Sequence, residues 1–177
     1  TLSSSSAASD VYKRQQHGCS AYPYEDYPKL FEIVAKHQPR QILEIGTGMG
    51  FTSVVMALAS PAARIDTLEK DFAHMETAQE FIASHQLSER ITVHNVVAEE
   101  YLSTLNQQYD LIFFDGYQIH YEFIPHYEKL LKSGGVLILG NNQLTSKTSD
   151  QFFEQLHNQN SWVIIGKFAD TTIAVKI

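Results

Sequence analysis

The chain has 177 residues, of which 44% are hydrophobic and 19% are charged, as is usual for one globular domain with a single core. Twenty acidic residues against thirteen basic ones give a net charge of −7, which argues against a general electrostatic attraction to nucleic acid. The single cysteine, Cys19, excludes an internal disulfide and a four-cysteine zinc site, and no apolar run approaches the ~20 residues that span a bilayer. We therefore expect a cytoplasmic protein without membrane contact.

The first fifteen residues, TLSSSSAASDVYKRQ, show no hydrophobic period. One interpretation is a disordered tail, since polar segments of this kind bury too little apolar surface to fold. Another is that Asp10 to Gln15 is translated sequencing adapter, because these residues can be back-translated to the recognition end of a library-preparation transposase. We exclude residues 1–15 from the fold and expect one domain over residues 16–177. Under the adapter interpretation, a native N-terminal segment is missing.

From Tyr24 onward, helical and strand patterns alternate. In chain order, the predicted elements are a helix over Tyr24–His37, a strand over Gln41–Ile45, a helix over Phe51–Ser60, a strand over Ala63–Leu68, a helix over Asp71–Gln86, a strand over Ile91–Val97, a helical stretch to Leu105, a strand over Tyr109–Phe114, a helix over Tyr121–Lys132, a strand over Val136–Leu139, a helix over Ser149–Gln159, and strands over Trp162–Ile165 and Thr171–Ile177.

This order predicts an α/β fold with a Rossmann-like, doubly wound, seven-stranded and mostly parallel sheet. Five strands separated by helices need right-handed crossovers, which build a parallel sheet. Only Gly166 to Asp170 join the last two strands, and this connection is too short for a crossover helix. We therefore expect these two strands to form a C-terminal antiparallel hairpin.

The strongest chemical signal is the glycine-rich segment EIGTGMG, residues 44–50, which follows a strand and opens a helix. Glycines let the backbone turn sharply and approach a ligand, and the free amides of a helix start attract an anionic group. Thr52 and Ser53 in the first helical turn offer further hydroxyl donors. A dinucleotide-binding loop would need its third glycine where Phe51 stands, so the spacing argues against pyrophosphate binding. A tight turn without a ligand is the alternative.

Glu69 ends the second predicted strand, 23 residues after Gly46. A carboxylate at this place can accept hydrogen bonds from both hydroxyls of a ribose. The alternative is a solvated charge at the mouth of the sheet. We interpret the nearby Asp71 as the N-cap of the following helix.

These residues resemble a known family. The features that resemble class I S-adenosylmethionine (SAM)-dependent methyltransferases are the segment 44–50, Glu69, the strand Tyr109 to Asp115 and the Gly134-Gly135 turn. The features that are similar to the cation-dependent O-methyltransferase branch, which includes catechol and caffeoyl-CoA methyltransferases, are LEIGTGMGFTS, TLEKD, YDLIFFDG, Tyr121 and LLKSGGVLILGNN. The similarity covers about residues 24 to 177.

The resemblance implies that SAM is the cofactor. The cofactor-binding residues that it implies are Glu44, Gly46, Thr47, Gly48, Gly50, Thr52, Glu69, Ala98 and Asp115. Among these, the glycines would hold the methionyl end, Thr52 would lie near its carboxylate, Glu69 would bind the ribose and Ala98 would meet the adenine. The family often has an acid just before this last position, where the chain has Val97.

The resemblance also implies a divalent cation such as Mg²⁺, bound by Asp115 and by an Asp-Asn pair after the fifth strand. In this chain the pair is Gly140-Asn141, and a lysine that is common three residues after the first acid is replaced by Gln118. The loss of one carboxylate removes a full charge from the oxygen cage that a hard cation prefers. The metal is therefore left open, with Asp115 and Asn141 as its candidate ligands.

Methyl transfer from a sulfonium is an in-line displacement, so the acceptor must be held opposite the S–methyl bond and must lose its proton. Asp115 and His120 are the candidate bases, and Asp115 is preferred because carboxylates at strand ends face the crevice of such a sheet. The alternatives are a turn aspartate and a packing histidine. Tyr117, Tyr121 and Phe123 are interpreted either as a wall over a planar acceptor or as core residues.

Three functions stay open. The first is a SAM-dependent O-methyltransferase that acts on a hydroxyl of a small aromatic molecule. The second is a tRNA hydroxyuridine methyltransferase, against which the acidic composition argues. The third is a SAM-binding protein with degraded catalysis, indicated by Gly140 and Gln118. A homodimer is an open prediction as well.

Overall fold

The computed structural model describes residues 24–117, 119–140, 147–158 and 160–177. The predictions about residues 1–15, Cys19, Gln118 and Asn141 lie outside these ranges. The strands are β1 (Gln41–Ile45), β2 (Arg64–Glu69), β3 (Ile91–Asn95), β4 (Tyr109–Phe114), β5 (Leu131–Leu139), β6 (Trp162–Phe168) and β7 (Thr171–Lys176). The helices are α1 (Tyr27–His37), α2 (Phe51–Ala59), α3 (Phe72–Ser84), α4 (Ala98–Thr104), α5 (Ile124–Leu130) and α6 (Lys147–Asn158), and a short 3₁₀ helix covers Tyr121–Phe123.

The seven strands of the described ranges form one sheet in the order β3-β2-β1-β4-β5-β7-β6. The pairs from β3 to β5 are parallel, whereas β7 runs antiparallel to both β5 and β6. This confirms the predicted seven-stranded, mostly parallel sheet with its C-terminal hairpin. The strand order reverses between β1 and β4, and ligands of such sheets bind at the carboxyl ends of the strands at this switch point.

Two apolar layers cover the sheet, as expected for a doubly wound fold. One layer packs α1, α2 and α3 on one face of the sheet, and the other packs α4, α5 and α6 on the opposite face. The strand β4 is buried on both faces, in agreement with its continuous apolar sequence YDLIFF. The helix α2 contains no charged residue, because nearly every one of its side chains is buried between the sheet and its neighbours.

Several boundaries differ from the predicted ones, two of them at the starts of β5 and α1. The strand β5 begins at Leu131, five residues earlier than predicted, because Leu131 pairs with Tyr109 before the ladder shifts register at the glycine turn. The helix α1 begins at Tyr27 instead of Tyr24. Tyr24 instead lies in the core, where its hydroxyl forms a 2.9 Å hydrogen bond with the Thr171 hydroxyl. Among the helices of the described ranges, none combines the length and hydropathy that a membrane crossing needs.

Candidate functional site

The glycine turn, residues 46–50, joins β1 to α2 at the carboxyl edge of the sheet. Gly46 and Gly50 have positive φ values of 96° and 84°. A Cβ at Gly46 would lie 2.7 Å from the carbonyl oxygen of Asp115, and a Cβ at Gly50 would lie 3.3 Å from the Cβ of Ala78 on α3. Glycine is therefore needed at the first position because the end of β4 comes close, and at the third because α3 does.

Glu44 lies beneath this turn and is completely buried. Its carboxylate accepts hydrogen bonds from the hydroxyls of Thr52 and Thr67, each at 2.6 Å, and from the hydroxyl of Ser53. Thr67 also bonds the hydroxyl of Thr47 in the turn at 2.6 Å. Glu44 thus ties β2 and the first turn of α2 to β1. Burial raises the pKa of Glu44 to about 6; the three hydroxyls oppose the increase and the charge of Glu69 adds to it.

The hydroxyl hydrogens of Thr52 and Ser53 both point to Glu44. Because each hydroxyl carries one hydrogen, neither can donate to a ligand in this arrangement. Both hydroxyls are thus engaged by Glu44, and the expectation that they donate to a ligand stays a prediction. The oxygen of Thr52 can still accept a hydrogen bond, and its assignment to the cofactor site, like that of Glu44, stays a prediction.

Glu69 ends β2 beside the same turn and is 8% exposed. Its Oε2 accepts the backbone N–H of Gly48 at 2.9 Å, and its Oε1 accepts the backbone N–H of Asp71 at 2.9 Å. A carboxylate offers about four lone-pair positions, so two remain for further donors. The two backbone bonds fix the direction in which these positions point. The binding of a ribose by Glu69 stays a prediction.

The loop after β3 lies next to Glu69. The backbone N–H of Val96 donates to the carbonyl oxygen of Glu69 at 3.0 Å, and Ala98 begins α4. Ala98 is half-buried, whereas Val97 before it is 42% exposed and presents an apolar surface. The structure therefore brings the predicted adenine-binding position to the same side of the sheet as the predicted ribose-binding carboxylate.

Asp115 follows β4 at the switch point. Its backbone N–H donates to the carbonyl oxygen of Ile45 at 2.8 Å, and its own carbonyl oxygen lies against Gly46. Its side chain is half-buried. The backbone of Asp115 thus lies directly beside the glycine turn. Of the two candidate bases, Asp115 is the one whose backbone contacts this turn.

The aromatic residues after Asp115 divide between surface and core. Tyr117 is 79% exposed, whereas Phe123 is 4% exposed and packs in the core layer with α5 and α6. The half-buried His120 packs its ring against Phe123, with 5.9 Å between the ring centroids. The structure therefore supports the core interpretation for Phe123 and a packing contact for His120. Tyr121 is half-buried against the same core layer.

The described residues supply only part of the ligand set that the resemblance implies for a divalent cation, because Asn141 lies outside the described ranges. Gly140, at the place of the expected acid, offers no side-chain ligand, and a Cβ there would lie 3.1 Å from Cδ2 of Tyr24 and 3.2 Å from the carbonyl oxygen of Phe114. The hydroxyl of Tyr24 is held by Thr171, so the ring cannot easily move away. Within the described ranges, no three histidine, cysteine or acidic side chains group as metal ligands, and we derive no step through a metal.

The sequence analysis did not identify two residues that support the site, Thr67 and Tyr24. Thr67 supports both Glu44 and Thr47, and its position two residues after Ile65, on the same face of β2, could have indicated its inward direction. Tyr24 contacts Gly140 and Thr171, which are 116 and 147 residues away in the sequence. No local pattern indicates contacts at such separations.

Comparison with known protein families gives one match to a family model, described as a methyltransferase domain, over residues 43–141. This is more than half of the 177 residues. The matched range contains the glycine turn, Glu69 and Asp115.

Among curated proteins, the chain is 26% identical over 144 residues to catechol O-methyltransferase B of Danio rerio, covering 75% of this chain and 53% of that protein. It is 31% identical over 120 residues to a catechol O-methyltransferase of Niastella koreensis, covering 64% and 54%. It is also 31% identical over 101 residues to a tRNA1(Val) (adenine(37)-N6)-methyltransferase of Pedobacter heparinus, covering 57% and 42%. The chain thus spans about half the length of the curated relatives it matches.

Among solved structures, the O-methyltransferase TomG of Streptomyces achromogenes in complex with SAM has a TM-score of 0.84 at 20% identity, covering 99% of this chain and 91% of that one. An O-methyltransferase of Bacillus cereus in complex with SAH has a TM-score of 0.82 at 22% identity, covering 99% and 92%. At this level of identity the two structures establish a shared fold.

Proposed function

Since the chain belongs to the methyltransferase domain family, we propose that it is a SAM-dependent O-methyltransferase that methylates a hydroxyl of a small aromatic molecule. The observation that carries this proposal is that the glycine turn contacts both predicted functional acids. Gly48 in the turn donates to the Glu69 carboxylate, and the backbone of Asp115 lies against Gly46. The catechol O-methyltransferases among the relatives support an oxygen acceptor.

The cofactor would bind across the carboxyl ends of β1, β2 and β3. The glycine turn would hold the methionyl end, because its backbone leaves room where a Cβ would intrude. Glu69 would accept hydrogen bonds from both ribose hydroxyls with the lone-pair positions that Gly48 and Asp71 leave unused. The loop at Ala98 would lie along the adenine.

Bound SAM supplies an electrophilic methyl group on a sulfonium. The acceptor oxygen forms a bond to the methyl carbon as the S–C bond breaks, and the electron pair of that bond stays on sulfur. Asp115 takes the proton of the acceptor hydroxyl, and His120 is the second candidate for this role. A positioned base of this kind accelerates the reaction about 10²- to 10⁴-fold. The rest of the acceleration comes from holding the acceptor oxygen and the methyl group in line.

The charges at the carboxyl edge favour a small acceptor over tRNA. The acidic residues at the carboxyl ends of β1 to β4 and in the segments that follow them include Glu69, Asp71, Glu99, Glu100 and Asp115. Lys70 is the one Lys or Arg among the same described residues. A sheet edge with this excess of negative charge repels the phosphate backbone of a nucleic acid. The tRNA-modifying relatives support tRNA only as the second candidate.

Two measurements test the proposal. Calorimetry should show that the protein binds SAM, and mass spectrometry should show a product 14 Da heavier when catechol or a related phenol is supplied with SAM. Binding of NAD without binding of SAM would overturn the assignment of the cofactor. Binding of SAM without turnover on phenols, but with turnover on tRNA, would favour the second candidate. Binding without any turnover would favour a SAM-binding protein with degraded catalysis.

A further inference from the structure

Two carboxylates lie close to the glycine turn, one beneath it and one beside it. Glu44 is completely buried beneath the turn, and Glu69, 8% exposed, accepts the N–H of Gly48 within it. Among the described residues, neither forms an ion pair with a lysine or arginine. The imidazole of His74 lies beside Glu69, with 4.0 Å between Nδ1 and Oε1.

The hydrogen bonds of Glu44 do not neutralise its charge. Its three donors are the hydroxyls of Thr52, Ser53 and Thr67, which are neutral dipoles. A buried carboxylate without a counter-charge is costly, and the neighbouring charge of Glu69 increases that cost. Burial raises the pKa of Glu44 to about 6, so the group is still ionised at pH 7.5. The turn therefore carries a negative field that a positively charged ligand would balance.

We infer that Glu44 is a specificity-determining residue, through which the site favours the positively charged cofactor SAM over its uncharged-sulfur product S-adenosylhomocysteine. This inference rests on the proposed function. The two molecules share the adenosine and the amino-acid end and differ by one methyl group and one positive charge on sulfur. A fixed negative charge beneath the turn acts on that difference through Coulomb attraction, without touching the ligand.

Glu44 and Glu69 are expected to act differently. Glu69 offers lone pairs to the ribose, which both molecules contain, so its loss should weaken the binding of both. Glu44 has no exposed surface with which to contact either molecule. The loss of its charge should therefore weaken the binding of SAM, which carries the extra positive charge, more than the binding of S-adenosylhomocysteine.

Glu44→Gln tests the inference, because glutamine keeps the size and an acceptor oxygen for the hydroxyls and removes the charge. The dissociation constants of SAM and S-adenosylhomocysteine are measured by calorimetry at pH 7.5 for the wild type and the variant. We expect the preference for SAM to fall about tenfold, with the affinity for S-adenosylhomocysteine changed less than about twofold. A preference that stays the same, whether both affinities fall or neither does, overturns the inference.

A pH series supplies a second measurement that does not depend on how the Glu44 variant folds. In the wild type, the preference for SAM should fall between pH 7.5 and pH 5 as Glu44 takes up a proton. The charged and basic groups that face this pair are Glu69 from β2, which faces Glu44, and His74 on α3, which faces Glu69. His74→Gln is the control and should keep the fall, whereas Glu69→Gln should weaken the binding of both molecules while the preference for SAM still falls over this pH range. A preference that does not change with pH in the wild type overturns the inference.

The same series separates the two proposals. A wild-type protein that binds neither molecule contradicts the proposed function itself. A wild-type protein that binds both molecules, with a preference that neither Glu44→Gln nor pH alters, leaves the proposed function intact and removes only the role of Glu44.

Discussion

Gly48 donates its backbone N–H to Oε2 of Glu69 at 2.9 Å, which joins the turn after β1 to the carboxylate that ends β2. The parallel register, in which Ile45 lies opposite Leu68, brings these two strand ends level. The sequence presents the glycines and the acid as separate signals, 23 residues apart. In the fold they form one surface, so a change in either should alter the other.

Removal of the Glu69 carboxylate should weaken cofactor binding. Glu69→Ala takes away the acceptors for the ribose and the anchor of the Gly48 amide, and charge-assisted hydrogen bonds of this kind contribute about 1–3 kcal/mol. We therefore expect the dissociation constant of SAM to rise by roughly 5- to 150-fold in calorimetry. Glu80→Ala, at an exposed position on α3, is the control and should change nothing. An unchanged affinity in Glu69→Ala would remove this residue from the site.

The stability of the protein should depend on pH through Glu44. Because the folded pKa is raised from 4.5 to about 6, the folded state holds this proton more tightly than the unfolded state does. The favourable contribution is complete below pH 4.5 and is lost as the pH rises through 6, in total about 2 kcal/mol. Urea unfolding of the wild type and of Glu44→Gln should give free energies whose difference changes by this amount across that window. A constant difference would show that Glu44 does not titrate there.

Gly46 should tolerate no side chain, whereas Gly134 should tolerate one at moderate cost. Both have positive φ, 96° and 75°, so alanine is strained at each by about 1–2 kcal/mol. A Cβ at Gly46 would also lie 2.7 Å from the carbonyl oxygen of Asp115, whereas nothing lies within 4 Å of a Cβ at Gly134. Gly46→Ala should therefore lose at least about 3 kcal/mol of unfolding free energy, and Gly134→Ala about 1–2 kcal/mol. Equal losses would show that the contact with Asp115 imposes no restriction.

The elements that the sequence predicts best are those whose signals are local. The bounds of β1 and β4 agree with prediction because each is a short apolar run between turn residues, and Asp71 caps α3 as predicted, accepting the N–H groups of Ala73 and His74. The family prediction is confirmed by the match to the methyltransferase domain. The start of β5 was missed because it depends on pairing with Tyr109 in another strand.

In the candidate site too, the features with local sequence signals were predictable and those that depend on long-range packing were not. Glycine spacing and an acid at a strand end are visible in the chain, and they lead to the turn and to Glu69. The hydrogen bond between Tyr24 and Thr171 joins residues that only the finished sheet brings together. The burial of Glu44 likewise depends on Thr67 arriving from a neighbouring strand. Long-range packing of this kind has no counterpart in local spacing.

Asp115→Asn should separate catalysis from cofactor binding. Asparagine keeps the shape and the backbone contacts with Ile45 and Gly46, but it cannot take a proton from the acceptor. We expect kcat to fall by about 10²–10⁴ while the dissociation constant of SAM stays within about threefold. His120→Asn is the comparison for the second candidate base, and a smaller loss there assigns the proton to Asp115. A loss confined to His120→Asn would reverse the assignment.

Methyl transfer should continue when divalent cations are removed. Gly140 supplies no carboxylate where the resemblance implies one, and the ring of Tyr24 lies 3.1 Å from the place where a Cβ would stand. A hard cation would then lack the set of charged oxygens that it prefers. Turnover in EDTA should equal turnover in Mg²⁺ to within about twofold, and Mn²⁺ titration followed by electron paramagnetic resonance should give the same result for the wild type and Asp115→Asn. Inhibition by EDTA, together with Mn²⁺ binding that Asp115→Asn abolishes, would establish a metal-dependent reaction in this crevice.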